Sequence, residues 1–387
     1  MPKAKLMCIA GARPNFVKIA PILKVLKQVQ SEITVQFIHT GQHYDSRLDT
    51  DFLKSLDIRM PDENLDVRSG SHAEQTATIM QRFEPILDKY QPDAILVVGD
   101  VNSTLACSLV ATKKSISVIH VEAGLRSFDS HMPEEINRKL TDQISDLLFV
   151  TEESGRRHLI AEGISPGKVH LVGNVMIDSL CQCLPNVRSA QSILQEQNIN
   201  ISWSQRGAEY GVVTLHRPSN VDNAEIFENI LQALTQISKN LPLLFPMHPR
   251  TQVKVQEFGF GHYFENSQFH TLGPLVYLDM LSLMKSSKMV LTDSGGIQEE
   301  TSILNVPCLT LRENTERPIT LEKGTNQLVG IQKDNIIQAA DKILSRSRVS
   351  QQNIPLWDGQ TAERIVEILV PWLYHRSYKI KREAAIA

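Results

Sequence analysis

Three acid sites in this chain stand at the ends of apolar runs, where a parallel sheet presents side chains to a ligand. Asp100 lies in Val98-Gly99-Asp100-Val101-Asn102-Ser103-Thr104, directly after an apolar run. Glu122 lies in His120-Val121-Glu122-Ala123-Gly124-Leu125-Arg126, again at the end of an apolar run. Glu134 and Glu135 follow Pro133, with Asn137 and Arg138 one turn later. Each alone has a structural explanation, because Asp caps helices and Glu steadies a first helical turn. Three such acids at neighbouring strand ends point instead to general acid–base work. A second set of residues suits anions. Gly11-Ala12-Arg13-Pro14-Asn15, with Lys18 one turn on, offers two cations and the amides of a helix start. Thr292-Asp293-Ser294-Gly295-Gly296 offers a hydroxyl, exposed amides and a helix dipole, the parts of a phosphate cradle, and Glu300 lies one to two turns further along. Arg312, Glu316 and Arg317 follow the next apolar run. His216, in Leu215-His216-Arg217-Pro218, suits an acid, a base or a phosphate donor, with a buried structural histidine as the alternative.

The elements that must carry these residues are strands and helices in alternation. Apolar runs at 6–10, 33–39, 94–99, 117–121, 146–150 and 169–172 alternate with helical stretches, as do later runs at 211–215, 243–247, 270–272, 289–292, 306–311 and 327–329. Continuous apolar strands between helices imply parallel sheets covered on both faces. Ligands of such sheets collect at the carboxyl ends of the strands, where the acids and the Ser-Gly-Gly turn stand. A polar interval at 182–206 marks the expected domain boundary and argues against a closed barrel. The residues from Arg364 to Arg382 predict a closing helix.

Composition narrows the function classes. At 387 residues the chain holds about 2.6 typical domain lengths. Forty basic residues against 43 acidic ones, a net charge of −3, leave no footprint for nucleic acid. No apolar run reaches the roughly 18 residues of a membrane span. Five scattered cysteines, with Cys181 and Cys183 as the closest pair, predict reduced thiols in the cytoplasm and no zinc site. No His-Glu-x-x-His is present, so no metal is expected, and the lack of Gly-x-Gly-x-x-Gly after the first strand speaks against a dinucleotide cofactor.

The segments GARPNFVKIAP, GDVNST, HVEAGLR, PEEINR, GNVMID, LHRP, DSGGIQEE and TERP, in this order from about Gly11 to Gly330, resemble the UDP-N-acetylglucosamine 2-epimerase family. The resemblance implies a GT-B-like α/β fold of two doubly wound Rossmann-like domains facing a cleft, with the C-terminal helix returning to the first domain. The expected division is 1–180 for a domain with sugar-facing acids, 181–358 for a UDP-binding domain, and 359–387 for the returning helix. A cytoplasmic homodimer that needs neither metal nor nicotinamide is also implied. Carried across, the resemblance makes Asp100, Glu122, Glu134 and His216 catalytic. It gives substrate binding to Arg13, Lys18, Arg138, Ser294, Gly295, Gly296, Glu300 and Arg317. Glu135 adjoins a matched position and is left out of the catalytic set.

The expected reaction is reversible inversion of carbon 2 of UDP-N-acetylglucosamine, by anti elimination of UDP to 2-acetamidoglucal and re-addition. Alternatives are a hydrolysing epimerase that releases N-acetylmannosamine and UDP, and an epimerase of a related UDP-diacetamido sugar. A GT-B glycosyltransferase or a plain nucleotide-sugar binder lies outside the class. The chain departs from the common family pattern at Ala12, Asn15 and Ile319. Tyr44 replaces the arginine of a Gln-His-Arg segment associated with activation by a second substrate molecule, so no strict activator requirement is expected.

Overall fold

Apolar runs and helical segments form two parallel sheets in a computed structural model. It describes residues 3–42, 53–54, 56–199, 201, 203–204, 207–265, 268–345 and 353–384. His43 and Tyr44, on which the activator expectation rests, lie outside the described residues. The chain divides into two units: residues up to Gln182 together with those from Pro355 onward, and Cys183–Ile354.

The first unit holds strands β1 (Ala4–Ala10), β2 (Ile33–His39), β3 (Glu63–Asn64), β4 (Ala94–Val98), β5 (Ser117–Ala123), β6 (Leu147–Val150) and β7 (Val169–Leu171). Their spatial order is β3-β2-β1-β4-β5-β6-β7. All pairings are parallel, with Leu6 opposite Val35 on one side and Ala94 on the other. The order reverses between β1 and β4, which makes their carboxyl ends the switch point where such sheets bind ligands. Side chains on β1 alternate as strand geometry requires. Leu6, Cys8 and Ala10 join a core with Phe16, Ile19 and Ile22 of the helix Arg13–Gln28 and with Ile365, Leu369 and Leu373 of the helix Thr361–Ala384. Met7 and Ile9 face the opposite core, with Phe83 of the helix His72–Tyr90 and Ala106 of the helix Asn102–Lys113. The last of these helices is buried along most of its length, between His72–Tyr90 and the helix Pro133–Ile144.

An antiparallel two-residue ribbon, β8 (Trp203–Ser204) with β9 (Gly207–Ala208), precedes the second sheet. That sheet is built from β10 (Gly211–Thr214), β11 (Leu243–Pro246), β12 (Phe269–Leu272), β13 (Met289–Thr292), β14 (Cys308–Thr310) and β15 (Asn326–Leu328). Its order is β12-β11-β10-β13-β14-β15, again parallel throughout, with a switch between β10 and β13. The polar interval at 182–206 is not a bare linker. It contains the helix Ala190–Glu196, and Arg188 there makes a two-pronged bond to Asp279 at 2.7 and 2.8 Å. Among the described residues no helix is long and apolar enough to cross a membrane, and no group of metal-binding side chains is assembled.

Candidate active site

In the first unit Asp100 and Glu122 stand at the turn that leaves β4. Asn15 anchors the opposite wall, donating from Nδ2 to the Val98 carbonyl at 2.9 Å. Its Oδ1 accepts from the amides of Gly11 at 3.2 Å and Ala12 at 3.0 Å. Two of the amides expected to face an anion are therefore already engaged, because the short Asn15 side chain folds back on its own turn. Lys18 forms a buried ion pair with Glu122. Gly99, at φ 69°, makes this possible: a Cβ there would sit 2.9 Å from Lys18 Nζ and 3.3 Å from Glu122 Oε2.

Glu122 is 5% exposed and adopts φ 71°, where the β5–β6 register shifts between Val121 and Ala123. A bulky residue in this region costs roughly 1–3 kcal/mol, and such strain clusters at functional sites. Bulging rotates one side chain out of the pleat and aims it beyond the strand end.

Asp100 does not cap the helix that follows it; Val101 holds that position without a side-chain bond. Its carboxylate pairs instead with Arg138, which also meets Glu135 at 2.6 Å. Asn137 donates to the Asp100 carbonyl at 2.9 Å. Glu134 lies half-buried beside Glu135, and Arg13 is half-buried at the start of the helix that carries Lys18. Sequence reasoning missed His120. Its ring nitrogens face Asp142 at 2.7 Å and the Gly99 carbonyl at 2.8 Å, so a fully buried side chain steadies the Asp100 turn. Asp142 in turn meets Arg126 at 2.7 Å. A polar residue inside an otherwise apolar strand was the available signal.

In the second unit the switch point is organised by Asp293, which is fully buried. It accepts from the amides of His216 at 3.0 Å and Arg217 at 2.9 Å, and it faces His216 Nδ1 at 3.0 Å. Burial pushes its pKa up, yet the hydrogen bond and charge of His216 and the two amides more than offset this and hold it below the usual carboxylate range. Asp293 thus fixes the ring of His216, which is 42% exposed at its side chain. Ser294 donates its amide to Thr292 Oγ1 at 3.0 Å, while the first-turn amides of Gly295 and Gly296 lie outside the helical ladder of Gly295–Leu304.

Behind that turn lies a cluster of arginines and glutamates. Arg317 meets Glu316 at 2.6 Å and Glu299 at 2.8 Å, Arg312 meets Glu316 at 2.9 Å, and Arg217 lies 3.6 Å from Glu316. The three guanidiniums are balanced by Glu316, Glu299 and the neighbouring buried Asp293, so the cluster offers an anion directed N–H donors rather than a net charge. A Cβ on Gly295 would come within 2.7 Å of both Arg317 Nη1 and Glu316 Oε1, so only glycine lets the helix start abut the cluster. Glu300 is 4% exposed and accepts from the Tyr277 hydroxyl at 2.8 Å.

Known proteins resemble the chain along most of its length. Residues 26–370 match the family model of UDP-N-acetylglucosamine 2-epimerase. The chain is 42% identical over 370 residues to the UDP-N-acetylglucosamine 2-epimerase of Methanocaldococcus jannaschii, covering 94% of this chain and 98% of that one. It is 36% identical to the UDP-2,3-diacetamido-2,3-dideoxy-D-glucuronate 2-epimerase of Pseudomonas aeruginosa, over 94% and 99% of the two chains. The crystal structure of the M. jannaschii enzyme in complex with UDP-GlcNAc and UDP superposes with a TM-score of 0.86 at 41% identity, covering 94% and 99% of the two chains. The fold class is therefore GT-B-like α/β with two parallel sheets.

Proposed function

The chain belongs to the UDP-N-acetylglucosamine 2-epimerase family, and from that premise we propose that it interconverts UDP-N-acetylglucosamine and UDP-N-acetylmannosamine without releasing the sugar. The observation that carries the reading is Glu122, a buried carboxylate paired with Lys18 and carried on left-handed backbone at a strand end. Asp100 and Glu134 complete the acids on the sugar side. Ser294, Gly295, Gly296 and Arg317 hold the diphosphate, Glu300 accepts from the ribose hydroxyls, and His216 and Arg13 serve the phosphate end.

The chemistry balances as follows. One carboxylate takes the proton from carbon 2 while the bond from carbon 1 to the phosphate oxygen breaks, its electron pair leaving with UDP. A double bond forms between carbons 1 and 2 to give 2-acetamidoglucal. A carboxylic acid then protonates carbon 2 from the opposite face, and UDP re-forms the bond at carbon 1. Positive charge and free amides around the diphosphate stabilise its departure. Acids out of bulk water serve the proton steps. The proposal includes a homodimer in the cytoplasm; five free cysteines fit a reducing compartment.

The test is NMR of the purified enzyme with UDP-N-acetylglucosamine in deuterated water. Deuterium is expected at carbon 2 of both UDP-sugars, with UDP retained. Free N-acetylmannosamine appearing in step with UDP would assign the chain to hydrolysing enzymes. The P. aeruginosa relative favours a second reading, a UDP-diacetamido uronic acid as substrate. Exchange at carbon 2 of that sugar alone would decide for it.

A further inference from the structure

We propose that Glu135, the acid beside the catalytic set, is a positioning residue that locks the Ser127–Phe128 turn and the Arg138–Asp100 pair into one geometry. The inference rests on the epimerase reading, which puts Asp100 and Arg138 on the sugar side. Glu135 is 1% exposed. Its Oε2 accepts from the Ser127 amide at 2.9 Å, the Ser127 hydroxyl at 3.0 Å and Arg138 Nη1 at 2.6 Å, and its Oε1 accepts from the Phe128 amide at 3.2 Å.

This is not ordinary capping. Glu135 is the third residue of the helix Pro133–Ile144, whose N-cap is Met132. A third-position glutamate usually bonds back to the N-cap amide. Here the carboxylate reaches past the cap to Ser127 and Phe128, in the loop that joins Glu122 to Glu134. The turn it holds is strained: Phe128 adopts φ 59° with 71% of its surface exposed, its ring edge-on to His158 at 5.2 Å. With so little burial, the turn is held by the amide bonds to Glu135 together with the Asp129 amide, which donates to Ser127 Oγ at 3.3 Å. The same carboxylate takes one end of Arg138, which is 2% exposed and presents its other end to Asp100. One buried acid therefore ties the loop leaving Glu122 to the partner of Asp100.

The isosteric E135Q variant keeps the volume and removes the charge. Turnover of UDP-N-acetylglucosamine is expected to fall about tenfold or more, since small displacements of catalytic groups are costly. UDP affinity by calorimetry should stay within about twofold, and amide exchange in residues 125–132 should quicken. S127A removes the hydroxyl's bonds to Glu135 and from the Asp129 amide and leaves Arg138 paired, so turnover should fall only roughly threefold, with quicker exchange in the same loop. Wild-type turnover and exchange in E135Q would overturn the proposal. So would a loss of UDP affinity in parallel with turnover, the mark of a general structural role. Should E135Q fail to fold, S127A decides alone: slower turnover with quicker loop exchange supports the role, and wild-type values overturn it. A wild-type enzyme that puts no deuterium on carbon 2 defeats the epimerase reading and the proposal together, whereas an active wild type with an unaffected E135Q defeats the proposal only.

Discussion

Glu300 shows how a buried acid works against the fold as pH rises. Burial pushes its carboxyl up from 4.5 to about 7, the Tyr277 hydrogen bond opposes this, and neighbouring Glu299 adds to it. The folded state therefore holds the proton more tightly than the unfolded chain. Its stabilising contribution is complete below 4.5 and is lost as pH rises through about 7. Above that range the ionised buried acid costs roughly 3 kcal/mol. E300Q should melt higher than wild type at about pH 8, with the gap closing towards about pH 5, while its UDP affinity falls. Scanning calorimetry at the two pH values checks the first part, and an equal gap at both would refute it. The sequence singles out Ser294, Gly295 and Glu300 by a strand running into Ser-Gly-Gly, a common turn that gains weight only from Arg312, Glu316 and Arg317 after the next strand. It does not single out Tyr277, since a tyrosine between apolar residues carries no mark of what its hydroxyl meets. Nor does the sequence separate Glu134 from Glu135; the helix turns Glu135 inward to Arg138, and adjacent residues face about 100° apart.

Among elements, the strands were the most legible, because buried parallel strands are apolar on both faces. Met289–Thr292 and Ile33–His39 fall where the apolar runs lie. The edge strand Glu63–Asn64 was not seen, having neither length nor apolar character. The helix Ala190–Glu196 hid in a polar interval because only Ala190, Ile193 and Leu194 are buried in it. The GNVMID segment was recognised but had no physical role until the structure gave it one. Asp178 accepts from the amides of Thr361 at 3.1 Å and Ala362 at 2.7 Å, capping the helix Thr361–Ala384 from far away in sequence. Trp357 and Arg364 reinforce that junction, bonding to the carbonyls of Thr151 and Val172. D178A should lose about 1–2 kcal/mol in denaturant unfolding. D178N should lose less: its one amide oxygen keeps one of the two cap bonds, although its NH2 faces the other amide, and it avoids ionising a group that burial pushes up to about 6. Equal losses in the two variants would mean that the cap is not what Asp178 contributes.

For the molecule as a whole, the same topology carries two different sets of side chains. Each unit is a parallel sheet with one switch point. Around the first stand paired acids and cations, Asp100 with Arg138 and Glu122 with Lys18. Around the second stand a cluster of arginines, helix-start amides outside the helical ladder and a histidine fixed by Asp293. The first set suits proton traffic and the second suits a nucleotide diphosphate, so damage to each should be distinguishable. E122Q and D100N keep side-chain shape while removing a proton carrier, and turnover should drop about a hundredfold or more. Their UDP affinity should stay near wild type, because the groups assigned to UDP are untouched. E300Q should show the converse, with weakened UDP affinity as its primary defect. Amide exchange maps the same division without catalysis: saturating UDP should slow exchange most across 293–300 and 312–317. If UDP instead protected residues 99–126 and left 293–300 unchanged, the nucleotide would belong to the first unit, and the roles assigned to the two sheets would have to be exchanged.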